Sequence, residues 1–142
     1  MQQALALAKQ AASDGEVPVG AVIVKDGEII AQASNLTETD NDPSAHAELL
    51  AIRAASKRLG SPRLPDCDLY VTLEPCTMCA SAISFARIRR LYFGAYDAKG
   101  GGVEHGAKFY HQPTCHHAPE VIGGMMESET SQLLKEFFAS RR

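Results

Sequence analysis

The amino-acid sequence predicts an α/β fold, a three-layer α/β/α sandwich around a mixed central sheet of about five strands. Segments with helical and strand-like hydrophobic patterns alternate in the order α-β-β-α-β-α-β-(β)-α, and helices connected in this way must cover both faces of a sheet. The chain has 142 residues, a length at which one domain can bury a proper core without disulfides. We therefore expect a single domain over residues 1–142.

Local patterns predict the elements of the first half in order. Apolar residues recur at helical spacing near the N-terminus, a valine-rich run follows, and an Asp-Gly turn leads into a second strand. The second helix is expected to turn Leu49, Ile52 and Leu59 inward, with Ser44 as a candidate cap. The expected bounds are 2–13 (helix), 19–24 and 28–33 (strands) and 47–59 (helix).

The second half alternates in the same way. A strand leads into two cysteines and a helix-like run, another strand lies close behind, and a glycine-rich stretch over residues 96–117 is expected to be irregular. Glutamates open the last helix and Arg141 and Arg142 follow it, which complements the helix dipole. The expected bounds are 68–73 (strand), 80–87 (helix), 88–93 and 120–122 (strands) and 127–140 (helix).

Composition limits the class of protein. The net charge is −3, so no basic field over the whole molecule indicates a nucleic-acid binder. The N-terminal stretch has no basic leader and its apolar run is too short for a membrane span. We therefore expect a cytoplasmic protein with reduced thiols and no membrane association.

Cys76 and Cys79 lie between the third strand and the third helix. Residues three apart on a first helical turn point the same way, and the positive end of a helix favours thiolates. Two thiolates at such a place suit a soft dication such as Zn²⁺. The pair alone also fits a redox dithiol or two buried structural cysteines, so it is only half a site.

His46 and Glu48 open the second predicted helix. One imidazole with Cys76 and Cys79 gives three protein ligands and leaves a fourth zinc position open, as in catalytic zinc sites. Glu48 is then available for general acid–base work on a zinc-activated water. Helix residues two apart point about 200° away from each other, so His46 and Glu48 can face one cavity only if His46 is non-helical.

Several stretches outside these residues also match a known family. They are residues 16–22, 42–48, 69–79 and 97–99, together with Asn35. In these stretches the chain resembles the bacterial tRNA-specific adenosine deaminases, within the cytidine deaminase-like superfamily. The resemblance extends over nearly the whole chain.

The resemblance implies a homodimeric enzyme that hydrolyses adenosine to inosine at the wobble position of a tRNA anticodon, with the anticodon stem-loop as its partner. It implies one Zn²⁺ per chain, held by His46, Cys76 and Cys79, and Glu48 as the proton shuttle. The residues that it implies in substrate binding are Asn35 at the target nucleotide, Asp42 near its ribose, Val17 and Pro18 around the base, and Ala47.

Other functions stay open at this point. The zinc pattern also occurs in deaminases of a free base or nucleotide, such as cytosine, guanine or deoxycytidylate, and this class is the alternative. A zinc module without catalysis is disfavoured by Glu48, and a redox protein is disfavoured by His46.

The remaining notable residues are expected to be structural. Adjacent residues seldom converge on one ion, so residues 115–117 (Cys-His-His) are not expected to form a second metal site. Cys67 is expected to be a packed thiol and His105 a surface residue. Met125 and Met126 are expected in the core.

Overall fold

A computed structural model describes residues 1–141, and this part of the chain contains four helices and five strands. Arg142, which the sequence places after the last helix, lies outside the described residues. In chain order the elements are α1 (Gln2–Ser13), β1 (Gly20–Lys25), β2 (Glu28–Ser34), α2 (Ala47–Leu59), β3 (Cys67–Leu73), α3 (Thr77–Phe85), β4 (Arg90–Ala95), β5 (Glu120–Ile122) and α4 (Glu127–Ala139).

The five strands form one mixed sheet in the order β2-β1-β3-β4-β5. β1 is antiparallel to both β2 and β3, whereas β3, β4 and β5 are parallel to one another. Every strand except β1 therefore runs in the same direction, and the carboxyl ends of these four strands meet at one edge of the sheet. The predicted α/β fold with a mixed sheet is confirmed.

Helices cover both faces of this sheet. Ala21, Val22 and Ile23 are consecutive in β1 and point to alternate faces, and all three are buried. The helices contact one another in two pairs, α1 with α4 and α2 with α3. α1 lies so close to β1 that a Cβ atom on Gly20 would overlap the carbonyl oxygen of Ala4. No helix within residues 1–141 is both long and apolar enough to cross a membrane.

The buried stripe of α2 differs from the prediction. Its fully buried apolar residues are Ala47, Ala51 and Ala55, while the predicted Leu49, Ile52 and Leu59 are only half-buried. Small side chains at every fourth position let the helix axis approach the sheet, so the larger residues beside the stripe lie at the margin of the core. Ile52 and Leu59 pack against the core, as predicted, but Leu49 does not, and the alanines that form the fully buried part of this face were not predicted.

Other differences concern element ends and connections. β4 begins two residues later than predicted because Arg87 takes a left-handed conformation (φ 60°) and Arg89 pairs with Asp68 beside the sheet. α3 begins at Thr77, earlier than the run over 80–87. Met125 and Met126 are half-buried and precede α4, so their predicted place in the core is wrong.

The glycine-rich stretch is irregular, as predicted, apart from a single 3-10 turn over Phe109–His111. This turn packs on α3, where the Tyr110 hydroxyl donates a hydrogen bond to the Ala80 carbonyl oxygen at 3.0 Å. Burial raises the pKa of Tyr110, so its hydroxyl keeps the proton that it donates.

Candidate active site

A cavity of about 290 Å³ lies where the carboxyl ends of the strands meet. Asn35 follows β2 directly, Glu74 follows β3 directly, and Asp97 lies two residues past β4. All three line the cavity. Open α/β sheets bind their ligands at this edge.

His46, Cys76 and Cys79 form a cluster of metal-binding atoms at this edge. His46 Nδ1 lies 3.4 Å from Cys79 Sγ and 3.7 Å from Cys76 Sγ, and the three atoms are all within 4.8 Å of one another. No other group of three potential ligands converges in this way within residues 1–141. The structure thus joins the two half-sites that lie 30 residues apart in sequence.

The starts of two helices position these ligands. His46 and Cys76 each occupy the N-cap position, of α2 and α3, with extended backbone conformations (φ −76°, ψ 147° and φ −69°, ψ 173°). His46 is therefore off helical dihedrals, and it lines the same cavity as Glu48. Ser44 is not the cap that the sequence suggested, because its hydroxyl donates to Asp42 Oδ1 at 2.7 Å.

The two thiols differ in acidity. Hydrogen bonding from Cys79, and then from His46, lowers the pKa of Cys76 to about 4. The hydrogen bond with Cys76 and burial raise the pKa of Cys79. A coordinated cation would deprotonate both thiols. Two thiolates with one imidazole are the soft donor set that suits Zn²⁺, so the residues present fit this ion.

Glu48 lines the cavity but is not part of the ligand cluster. Its side chain is 4% exposed, and burial raises its pKa to about 7. The hydrogen bond to Cys76 raises the pKa of His46. A carboxyl group that titrates near neutral pH can both accept and release a proton during a reaction.

The predicted substrate residues separate into two groups. Val17 and Asn35 line the cavity, and Asn35 Nδ2 donates to Thr37 Oγ1 at 3.3 Å. Pro18 and Ala47 are buried, and Asp42 is half-buried with its carboxylate bonded to the hydroxyl and the backbone N–H of Ser44, which lowers its pKa. These last three lie outside the lining of the cavity.

A buried carboxylate that the sequence reasoning missed lies beside the metal ligands. Glu74 is 2% exposed, and its Oε2 accepts hydrogen bonds from the backbone N–H groups of Val103, Glu104 and His105. Its Oε1 accepts the N–H of Asp97 at 3.0 Å and lies 2.8 Å from His105 Nδ1. The His105 side chain is partly covered by this contact but stays 35% accessible, and His105 is outside the ligand cluster, in agreement with the predicted surface position.

A second buried carboxylate holds the segment next to Thr37, a residue that lines the cavity. Glu16 is 1% exposed and accepts hydrogen bonds from the backbone N–H groups of Glu38 and Thr39 and from the Thr39 hydroxyl at 2.6 Å. Burial alone would raise the pKa of Glu16, but these hydrogen bonds outweigh it and the pKa is lowered. The bonded residues adjoin Thr37, which lines the cavity.

The other notable residues make local contacts. Cys67 is buried, as expected. Cys115 Sγ lies 3.6 Å from Ser84 Oγ, and His117 Nε2 lies 2.8 Å from the Ile88 carbonyl oxygen. These contacts attach the segment before β5 to α3 and to the start of β4.

Comparison with known proteins identifies the family. A family model described as the cytidine and deoxycytidylate deaminase zinc-binding region matches residues 1–95. The tRNA-specific adenosine deaminase of Agrobacterium fabrum is 58% identical over 142 residues, which span 100% of this chain and 93% of that protein. This chain belongs to the tRNA-specific adenosine deaminases. The resemblance and the zinc cofactor that the sequence predicted are both confirmed.

Two solved structures are similar to this deaminase in fold and in sequence. One, from work on A-to-I editing by tRNA:A34 deaminases at the wobble position of transfer RNA, matches with a TM-score of 0.93 and 60% identity, covering 94% of this chain and 97% of that chain. The guanine deaminase of Bacillus subtilis matches with a TM-score of 0.68 and 38% identity, covering 99% of this chain and 90% of that chain. Enzymes of both kinds share this deaminase's fold.

Replacing Cys76 with alanine should remove zinc and lower the melting temperature together, because metal-binding free energy is partly folding free energy. Metal analysis and thermal denaturation of the same preparation measure both effects. Cys67→Ala is the matched control, since Cys67 is a buried thiol at the far end of β3 and its loss should leave zinc in place. Full zinc occupancy in Cys76→Ala would contradict the ligand assignment.

Replacing Glu16 with glutamine should change how stability depends on pH. The folded-state pKa of Glu16 is lowered from 4.5, so its stabilisation is complete above that value and is lost as the pH falls through the folded-state pKa. The wild type should therefore be more stable than Glu16→Gln at pH 7, and the difference should shrink below about pH 4.5. Melting temperatures from pH 7 to about pH 3 test this, and a pH-independent difference would contradict it.

Proposed function

We propose that this chain converts adenosine to inosine at the wobble position of a tRNA anticodon, as a single zinc-dependent deaminase domain over residues 1–142 that acts in the cytoplasm. The observation that carries the proposal is the cavity at the sheet edge, which brings three soft ligands and a buried, titratable Glu48 together. The names of its relatives and its high identity to them support the choice of substrate.

In this proposal His46, Cys76 and Cys79 hold the zinc ion. When bound, the ion lowers the pKa of a water molecule so that hydroxide is available near neutral pH. Glu48 takes the proton from the attacking water and delivers it to N1 of adenine, which makes C6 electrophilic. After hydroxide adds at C6, Glu48 takes the remaining hydroxyl proton and gives it to the amino group. The C6–N bond then breaks, ammonia leaves and the C6 carbonyl of inosine forms. General acid–base assistance of this kind typically contributes about 10²–10⁴-fold to the rate.

The substrate contacts belong to the walls of the cavity. The Asn35 side chain offers both a donor and an acceptor to the edge of the target nucleotide, and it is held by Thr37. Val17 packs against the base, with Pro18 and Ala47 buried behind that surface. Asp42 is proposed to lie near the ribose when the substrate is bound.

A second depression favours a polynucleotide over a free base. It has a volume of about 830 Å³ and shares Val17, Leu73, Asp97 and Gly100 with the first cavity. Two half-exposed aromatic rings and two cations also line it: Tyr96, Phe138, Lys99 and Arg141. Proteins recognise splayed RNA loops by aromatic stacking and by cations near phosphates, so this depression fits nucleotides that flank the target.

The structural similarity to a guanine deaminase motivates one alternative function, which is the deamination of a free base or nucleotide. Its catalytic requirements would be met by the same zinc cluster and Glu48. Parallel incubation with tRNA and with free guanine, cytosine, adenosine and deoxycytidylate separates the two functions. Turnover of a free base with no inosine in tRNA would favour the alternative.

The outer side of α3 supports the proposal of a homodimer. Phe85 is 71% exposed and Met78 is 40% exposed on this helix. The helix carries Cys79 and is followed by Arg87, Arg89 and Arg90, so a partner packed here would lie close to the cavity. We propose a symmetric dimer in which this surface covers itself across a two-fold axis and completes each pocket.

Light scattering at micromolar concentration should report twice the mass of one chain. Phe85→Glu should shift the molecule towards the monomer, because it places a charge in the apolar interface. Ile29→Glu is the control, since Ile29 is a comparably exposed apolar residue on β2. A monomeric wild type would contradict the proposed dimer.

Glu48→Ala should lower the single-turnover rate of inosine formation by at least about 10²-fold, because the proton shuttle is lost. Zinc content should stay near one per chain and tRNA affinity should change little, since phosphate contacts lie elsewhere. The test is inosine formation on a tRNA with adenosine at the wobble position, with metal analysis of the same preparation.

Asn35→Ala provides the comparison for this experiment. It removes a group proposed to hold the nucleotide, so it should weaken both binding and turnover. Near-normal turnover in Glu48→Ala would exclude the proposed mechanism. Loss of zinc in Glu48→Ala would show that the carboxylate supports the metal instead of the proton transfer.

A further inference from the structure

The loop over residues 97–105 is attached to the turn that carries Cys76. Glu74 accepts the N–H groups of Asp97, Val103, Glu104 and His105, which come from both ends of this loop. The backbone adds an independent connection, because the Gly102 N–H donates to the Pro75 carbonyl oxygen at 2.8 Å. The loop and the turn Glu74–Pro75–Cys76 are thus bonded through a side chain and through the main chain.

Two glycines bring the loop into direct contact with that turn. A Cβ atom on Gly101 would overlap Glu74 Oε2 and would lie 2.5 Å from the Asp97 carbonyl oxygen. A Cβ atom on Gly102 would lie 2.5 Å from the backbone nitrogen of Thr77, the first residue of α3. Because no side chain fits at either position, the loop backbone rests on the carboxylate and on the start of the metal-binding helix.

The same loop supplies part of the substrate wall. Asp97 and Gly100 line both the cavity and the adjoining depression. Asp97 is therefore bonded to Glu74 through its N–H and also lines the space proposed for the substrate. Its Oδ1 accepts the N–H of Gly100 at 2.8 Å, within the same loop. A shift of the loop away from Glu74 would move this wall relative to the metal ligands.

We propose that Glu74 is a positioning residue for the deamination, which fixes the loop over residues 97–105 as a wall of the substrate cavity in a set relation to Cys76. This inference rests on the proposed function. Glu74 acts through the loop and has no direct part in proton transfer. Its loss should therefore affect substrate binding more than the chemical step, and zinc should stay bound.

Two variants perturb this arrangement in different ways. Glu74→Gln keeps the shape of the side chain, but either orientation of the amide turns an N–H group towards a backbone N–H donor. Gly101→Ala leaves the carboxylate in place and pushes the loop away from it by steric overlap. Glu120→Gln is the control, because this glutamate is exposed and pairs only with Arg90 at 2.9 Å.

Three measurements on each full-length variant test the proposal: zinc content, hydrogen exchange of peptides covering residues 97–105, and kcat and KM on a tRNA with adenosine at the wobble position. Loop exchange should become about tenfold faster and KM should rise about tenfold or more, since hydrogen bonds to a charged group are each worth at least that factor. Changes in kcat should be smaller, and zinc and the exchange of β3 should match the control.

Each of the other possible results contradicts one specific part of the proposal. Loss of zinc with unchanged loop exchange would show that Glu74 serves the metal turn, and faster loop exchange with unchanged KM would show that the loop is not a substrate wall. If Glu74→Gln does not fold, Gly101→Ala decides the question. Absence of inosine in tRNA with the unmodified enzyme would instead refute the proposed function, and loop exchange would still show whether Glu74 fixes the loop.

Discussion

The site depends on one geometric constraint, which is that two helices begin at the same edge of one sheet. β2 and β3 run in the same direction because β1 lies antiparallel between them, so α2 and α3 both start beyond that edge. The N-cap residue of each helix, His46 or Cys76, has an extended and not a helical backbone. This conformation lets His46 and Glu48, which are two positions apart, line one cavity.

Around that centre, two buried carboxylates add to the apolar packing of Val17, Val19 and Leu73 in holding the walls. Glu16 and Glu74 are each buried on one side of the cavity, where isolated charges would be costly. Each is stabilised by hydrogen bonds from loop backbone, which also satisfies N–H groups that irregular segments leave unpaired. Both loops that contribute to the cavity wall are thereby bonded to a buried side chain.

The fold and the metal cluster could be predicted from the sequence because both follow from local patterns of residues. The bounds of α2 and β5 agree with the prediction, and soft ligands at two helix starts identified His46, Cys76 and Cys79. The role of Glu74 was not predicted because its partners lie 23–31 residues away and, apart from the His105 side chain, are backbone groups, which no residue type marks. The alanine stripe of α2 escaped because periodicity ranks large apolar residues as buried, whereas close helix–sheet packing selects small ones.

The fixed loop over residues 97–105 limits how substrate specificity can change by mutation. Ordering a flexible segment costs about 1–2 kcal/mol of conformational entropy per residue. Here the loop is ordered when the protein folds. A ligand that contacts Asp97 and Gly100 therefore binds without the entropy cost of ordering the loop. The same contacts leave no room for side chains at Gly101 and Gly102. Substrate range in this fold can therefore change by replacing side chains on the wall more readily than by reshaping its backbone.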